Sequence, residues 1–372
     1  MKKEYDIRLY HPGDTGEILK LLQLAFNGWP HINLSCSTIE HWKWKHEDNP
    51  VGKSIISVGA SDGKTIGCSH TIPLRMKIKD GVFLCCIGVD VAVRPNFRGI
   101  GVYGNMLDFK RRFEKQVGMK LHFTITGNPF IIKRLSKRES RFPLKIVNLV
   151  RILDINKHLK AMPINNGWFV KPGFHFVKLM NKLKNTYFAT VSKFDLQISD
   201  IDRFDEKIVE FCEQVSNHYD FILERSQEYL NWRYCDPRAG NFLVRQVCEE
   251  DQVLGYSVLK INRYKEDYPV GFVVDLLTLP KRFDVAEALA MDAINYFDNN
   301  DVNIVNYLVV KGHPYEDVLN RCGFLDSRID INLFYTSLVN SDELSMIKKS
   351  PASRIFFSWG DHDSLPTQSP YF

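Results

Sequence analysis

Nowhere in its 372 residues does the chain carry an apolar run near the ~20 residues that span a bilayer. Its first residues, Met1-Lys2-Lys3-Glu4-Tyr5-Asp6, lack the apolar stretch of a secretory signal. A membrane-spanning or exported protein is therefore not expected. The eight cysteines, at 36, 68, 85, 86, 212, 235, 248 and 322, include no Cys-x-x-Cys pair. That argues against a disulfide framework and a metal site, and for a reducing, cytoplasmic setting. Net charge is only +5, so the whole molecule is not a polyelectrolyte binder and no nucleic-acid partner is expected. The charge is unevenly spread. Between Lys133 and Lys184 thirteen Lys and Arg stand against two acids, Glu139 and Asp154. Such a strip is either a solvated face or a surface that meets an anionic substrate, a lipid headgroup or a nucleotide.

What is present is a soluble-protein composition, 44% hydrophobic and 25% charged, on a chain long enough for two cores. Helical spacing marks Thr15–Phe26 and, more briefly, 39–46. Strand patterns cover 54–60, 65–78 and the long apolar run 82–93, with Asp62-Gly63 and Lys79-Asp80-Gly81 as turns. A helix over 101–116 is expected to bury Val102, Met106, Phe109 and Phe113. Strand 120–126, a short helix 129–137 and strand 145–153 follow. The second half echoes the first. Ser226–Trp232 with Asp236-Pro237 repeats Thr38–Trp44 with Asp48-Asn49-Pro50, and Gly255 repeats Gly67 at an offset of 188. Val274-Asp275 to Pro280 repeats Val89-Asp90 to Pro95, and Gly312-His313-Pro314 repeats Gly127-Asn128-Pro129, both at an offset of 185. Four landmarks in one order read as a duplicated α/β unit. The expected parts are 1–154, a basic linker 155–200, a second copy 201–340 and a tail 341–372. The linker holds a basic aromatic stretch, 167–184, that is either a packed helix or a peripheral membrane contact.

The most informative segment is Val91-Ala92-Val93-Arg94-Pro95-Asn96-Phe97-Arg98-Gly99-Ile100-Gly101-Val102-Tyr103-Gly104. A buried strand ends at a Pro turn, and a glycine-spaced loop opens a helix. That arrangement aims backbone N–H groups and the positive end of a helix dipole at one point, which binds phosphate. No Gly-Lys-Ser/Thr follows the loop, so it is not a mononucleotide P-loop. Gly99-x-Gly101-x-x-Gly104 does match a dinucleotide spacing, but a dinucleotide fold would start at its first strand, and here antiparallel hairpins come first.

Residues 82–140 resemble the GNAT superfamily of acyl-CoA-dependent N-acyltransferases: an apolar strand, a Pro turn, then Arg98-Gly99-Ile100-Gly101-Val102-Tyr103 at the start of a helix. Tyr103 stands where the family has a small residue, and Gly104 follows one place late. The resemblance extends over residues 1–150 and, more weakly, over the second copy. It implies an α/β (α+β) fold of two tandem GNAT-like domains, each a mixed, mostly antiparallel sheet flanked by helices. It also implies acetyl-CoA as co-substrate. The diphosphate would lie on the amides of Gly99 to Gly104 beside Arg98, and the pantetheine arm along Val91 and Val93, with Asn128 near the same arm. The implied reaction moves an acetyl or short acyl group to a primary amine of a small acceptor, anionic or sugar-linked. Two alternatives are an aminoacyl transferase acting on cell-wall precursors and a non-catalytic acyl-CoA-binding module.

The catalytic assignment is less direct. Many family members place a Tyr acid seven residues after the Asn; here that position is Leu135, and the usual closing Gly-Phe is Glu139-Ser140. Asp90 is the candidate base. Strand alternation puts Gly88, Asp90 and Ala92 on one face, and burial there should raise the carboxyl pKa toward a useful value. Asp275, at the same place in the second copy, argues instead for a structural role. His70 and His122 are further candidates on strands. The second copy has Lys281-Arg282-Phe283-Asp284 where the first has its glycines, so that half is not expected to bind CoA.

Overall fold

The computed structural model describes residues 4–154, 157–158, 196–329, 331–339 and 347–363. The basic segment 167–184, expected as linker or membrane contact, lies outside the described residues. No described helix is long and apolar enough to cross a membrane. The chain divides into two units. Unit 1 holds residues 1–143, 223–240 and 332–349, and unit 2 holds 144–222, 241–331 and 350–372.

Unit 1 begins with β1 (Asp6–Leu9), α1 (Thr15–Phe26) and α2 (Thr38–His46), then β2 (Ile55–Ser61), β3 (Lys64–Ile78) and β4 (Gly81–Val93). After α3 (Val102–Gln116) come β5 (Leu121–Thr126), α4 (Pro129–Leu135) and the two-residue β6 (Ser140–Arg141). Ser37 starts α2 with a capping box, its hydroxyl accepting from the Glu40 amide while the Glu40 carboxylate reaches back. Helix α1 lays Ile18, Leu21 and Leu22 against Trp42, Ile56, Val58, Cys68 and Ala92. Full burial of each such side chain is worth about 1.5–3 kcal/mol. On α3, Val102 and Met106 pack on Ile66.

Unit 2 contains β7 (Ile146–Ile152), β8 (Ile198–Ile201), α5 (Lys207–His218), β9 (Leu243–Glu249), β10 (Gln252–Asn262) and β11 (Val270–Thr278). It continues with α6 (Phe283–Asn299), β12 (Ile304–Val310), α7 (Pro314–Arg321) and β13 (Leu325–Asp326); β14 (Asn332–Ser337) belongs to unit 1. The unit 1 sheet runs β1-β2-β3-β4-β5-β14-β6 and the unit 2 sheet β13-β7-β12-β11-β10-β9-β8. In each of these orders, one parallel pair, β4·β5 or β11·β12, is joined through a helix and the other neighbouring pairs are antiparallel. Both sheets are therefore mixed and mostly antiparallel.

Two strands differ from the expected boundaries. Ile146–Ile152, counted with the first domain, pairs with β12, and Asn332–Ser337, counted with the second, pairs with β5. Alternation tells that a segment is a strand, not which sheet it joins.

Candidate functional site

The loop after β4 is held open by its own backbone. Arg94 caps a single turn, with Phe97 N donating to Arg94 O at 2.9 Å and Arg98 N to Pro95 O at 3.2 Å. Gly99 and Gly101 then take φ of 83° and 97°, the left-handed region where a Cβ is costly. The next bonded amide is Asn105, which reaches Gly101 O at 3.0 Å. Between them, the amides of Gly99, Ile100, Gly101, Val102, Tyr103 and Gly104 donate to no protein group among the described residues. No atom stands within 4 Å of the Cβ position of Gly99. Cations gather beside the loop. The Arg134 guanidinium lies 4.0 Å over the Tyr103 ring, and Arg138 sits next to Gly104 while pairing with Asp108 at 3.2 Å. Arg98 folds back, its Nε donating to Val93 O at 3.0 Å.

The strand leading to this loop has a free edge. Parallel pairing of β4 with β5 covers Cys86↔His122 and Ile87↔Phe123, whereas pairing with β3 continues to Gly67↔Val93. From Gly88 to Val93 no described strand pairs with the edge of β4 facing β5, although the Val93 carbonyl accepts from Arg98 Nε. Val91 and Val93 lie on this stretch. Asn128 caps α4, its Oδ1 accepting from Phe130 N at 3.0 Å and Ile131 N at 3.4 Å, which commits the oxygen and leaves the amide NH₂.

The alternation expected around Asp90 does not hold. The β3·β4 register shifts by one residue between Cys68 and His70, and Asp90 has φ of 45°, so a bulge interrupts the pleat. The Asp90 carboxylate accepts from Trp29 Nε1 at 2.8 Å and Lys45 Nζ at 2.6 Å, with His46 Nε2 3.3 Å away. The expected rise in its pKa is overturned. Burial pushes that way, but the Lys45 ammonium and His46 hold the carboxyl well below its ordinary value. A carboxylate so bound is a poor base. His70 is a satisfied core residue: its Nδ1 donates to Asp90 O at 2.9 Å and its Nε2 accepts from Trp42 Nε1 at 3.3 Å. Burial lowers His70 to about 4 and His46 to about 3.

A second buried group sits where β4 and β5 begin to part. The core face of α3 is Val102, Met106, Lys110 and Glu114, at i, i+4, i+8 and i+12, while Phe109 and Phe113, expected on that stripe, are only half-buried. Lys110 Nζ donates to Ser69 Oγ and His70 O, both at 2.8 Å. Glu114 accepts from Thr71 Oγ1 at 2.6 Å and from His122 Nδ1 at 3.0 Å. Burial opposes the charge of Glu114, but His122, Lys110 and Thr71 bring its carboxyl down to about 2. Burial lowers Lys110 to about 8, with Glu114 opposing. Cys86 Sγ is 3.5 Å from His122 Nδ1, and burial keeps its thiol protonated. Lys110 and Glu114 are not among the residues that the sequence singles out, because charge on a helix does not by itself signal burial. Their phase with Val102 and Met106 was the available signal. Leu135 is buried and Glu139 pairs with Arg111, so neither supplies an acid.

Unit 2 fills the equivalent places with its own atoms. Asp284 pairs with Arg282 at 2.7 Å at the start of α6, putting a fixed anion where unit 1 has bare amides. The β11·β12 pairing stops at Val273↔Tyr307, and Thr278 N donates to Tyr315 Oη at 3.0 Å. Segment 355–361 packs there as well. Phe356 stands against His313 and Tyr315, Ser358 Oγ reaches Asp275 Oδ1 at 3.1 Å, and Trp359 meets Phe272. Asp275 also accepts from Tyr256 Oη, on the neighbouring strand, at 3.0 Å. Its role is structural.

Residues 6–124 match the family model described as an acetyltransferase (GNAT) domain. No curated protein sequence matches the chain. Among solved structures, a probable N-acyltransferase from Enterococcus faecalis V583 aligns with a TM-score of 0.61 and 11% identity, over 90% of this chain and 73% of its own. Saccharomyces cerevisiae N-myristoyltransferase with bound myristoyl-CoA gives 0.60 and 11%, over 91% and 80%. A tandem GNAT protein from the clavulanic acid biosynthesis pathway gives 0.57 and 12%, over 91% and 100%. At such identities these likenesses establish the fold.

Proposed function

We propose that the protein, whose residues 6–124 match a GNAT acetyltransferase domain and whose fold resembles that of a tandem GNAT protein, is an acyl-CoA-dependent N-acyltransferase with one site, in unit 1. The observation that carries this reading is the run of six amides, Gly99 to Gly104, with no protein acceptor. An exposed nest of this kind at a helix start fits a diphosphate, and coenzyme A carries one. Arg98, Arg134 and Arg138 add positive charge around it. The pantetheine arm lies along the free edge of β4, where Val91 offers its main-chain groups, Val93 its N–H and Asn128 its NH₂.

Acetyl-CoA, or another short acyl-CoA, is the donor and a primary amine the acceptor. The neutral amine attacks the thioester carbon and a C–N bond forms. The C–S bond then breaks, and the thiolate leaves with a proton. N–H groups on the free edge near the Asp90 bulge stabilise the oxyanion. Asp90 itself anchors that bulge through Lys45 and Trp29 and takes no proton. The acceptor we favour is small and anionic or sugar-linked, in keeping with the excess of Lys and Arg over acids between Lys133 and Lys184.

Thermal shift and calorimetry with CoA, acetyl-CoA, butyryl-CoA and myristoyl-CoA test the reading. The long chain is included because the yeast fold relative holds it. Saturable stabilisation by at least one of the four is expected. If none of them stabilises the protein, the reading fails.

A further inference from the structure

Within the buried group around Glu114, every polar atom described above has a protein partner except one. Thr71 and His122 Nδ1 occupy the Glu114 carboxylate, and Ser69 and the His70 carbonyl occupy Lys110. Because His122 Nδ1 donates to Glu114, that nitrogen is committed, and Nε2 is the ring nitrogen left to exchange a proton. No described residue bonds to Nε2. It is directed at Gly88: a Cβ built there would stand 2.6 Å from Nε2 and 3.5 Å from Thr124 Oγ1. Gly88 is the first residue beyond the last β4·β5 pair, Ile87↔Phe123. The free nitrogen of a ring held by a buried carboxylate thus faces the vertex at which the two strands part.

Resting on the acyl-CoA reading above, we infer that His122 is the general base of the transfer and that Glu114 is the residue that positions it. The acceptor amine, directly or through one water, gives its proton to Nε2 as the C–N bond forms. The imidazolium then returns the proton to the departing thiolate or to solvent, and the neutral ring is restored. Glu114 keeps the ring in the required tautomer and compensates its transient charge. The other titratable group against the ring is Cys86 on β4, whose Sγ is 3.5 Å from Nδ1, and Lys110 and Arg111 on α3 act on that thiol in turn. Glycine at 88 supplies the room.

Two experiments on the full chain decide this. In the first, ¹⁵N-histidine protein is titrated with acetyl-CoA, and the Nε2 resonance of His122 is assigned by its loss in His122→Gln. A shift of that resonance on saturation is expected. An unmoved resonance under calorimetrically proven saturation overturns the inference and leaves the acyl-CoA reading intact. If acetyl-CoA does not bind at all, both fall. In the second, thiol release from acetyl-CoA is followed with hydroxylamine, glycinamide, a polyamine and an aminosugar phosphate as nucleophiles. His122→Gln should lower kcat by roughly 10²–10⁴-fold at unchanged KM for acetyl-CoA, and should lose the acidic limb of the pH profile. Glu114→Gln should shift that limb, with Glu114→Asp restoring part of the rate. Gly88→Ala, whose Cβ would stand 2.6 Å from Nε2 and must displace the ring, should slow turnover with acetyl-CoA still bound. Wild-type rates in His122→Gln with these nucleophiles would overturn the assignment.

Discussion

Trp44 and Trp232 exchange hydrogen bonds: each indole Nε1 donates to the other's carbonyl, at 2.9 Å and 3.1 Å, with the rings stacked 5.0 Å apart. They are 188 positions apart, the offset that also relates Gly67 to Gly255. Reciprocity between equivalent residues is what a two-fold relation between copies of one segment produces. Replacing either Trp by Ala should therefore cost a similar amount, about 3–5 kcal/mol for a large ring in a packed contact. The double variant should cost less than the sum of the two. Urea unfolding of the three variants checks this, and strictly additive losses would refute the coupling.

Lys45 and Asp90 form the second tie, joining α2 to the bulge of β4 with both side chains below 10% exposed. Lys45→Met strands a buried carboxylate, and a loss of about 3–5 kcal/mol is expected. Lys45→Met with Asp90→Asn should recover part of that loss, because no charge is left alone. Equal stability of Lys45→Met and wild type in denaturant titration would show that the pair is idle.

Acid should weaken the fold through histidines rather than through Asp90 alone. Burial lowers His41 and His46 to about 3 and His70 to about 4. An unfolded histidine titrates near 6.5. Between these values the unfolded chain binds protons that the folded chain excludes. The contribution is therefore full above about 6.5 and is lost as pH falls toward 4, by up to about 1.4 kcal/mol per pH unit for each ring. Asp90, whose folded pKa is depressed, adds its own loss only below about 4, the ordinary Asp range. The Tm should fall steadily from pH 7 to pH 5, and a flat profile over that range would contradict the assignment.

At the loop, Gly101→Val places a β-branched residue at φ of 97° and narrows the approach to the bare amides. A Cβ there meets only Tyr5 Oη at 3.5 Å and Asn105 Nδ2 at 4.0 Å, so the fold should survive. Affinity for acetyl-CoA should drop tenfold or more, about 1.4 kcal/mol per decade. Calorimetry beside a circular-dichroism spectrum reads both effects. Unchanged affinity with an unchanged spectrum would remove the nest from the cofactor site.

In unit 2, Phe356→Ala should destabilise by about 3–5 kcal/mol, since the ring packs among Tyr219, His313 and Tyr315. It should leave acetyl-CoA affinity unaltered, because the fixed Asp284 carboxylate still blocks an anion at α6. New, second-site binding of acetyl-CoA in this variant would show that segment 355–361 alone closes the place.

The sequence by itself determined the duplication, the helix and strand order of the first half and the glycine loop. These depend on local rules: turn residues, a period of 2 or 3.6, and glycine where φ is positive. Tertiary structure decided the rest. The exchange of Ile146–Ile152 and Asn332–Ser337 between sheets rests on edge pairing, which alternation does not encode. The turning of the Asp90 carboxylate onto Lys45 follows from a one-residue bulge, which reverses the pleat without altering composition. Lys110, Glu114 and His122 became partners because burial in a low-dielectric core makes charges seek one another. Along the sequence His122 stood out only as a histidine on a strand, and Lys110 and Glu114 as two charges on a helix.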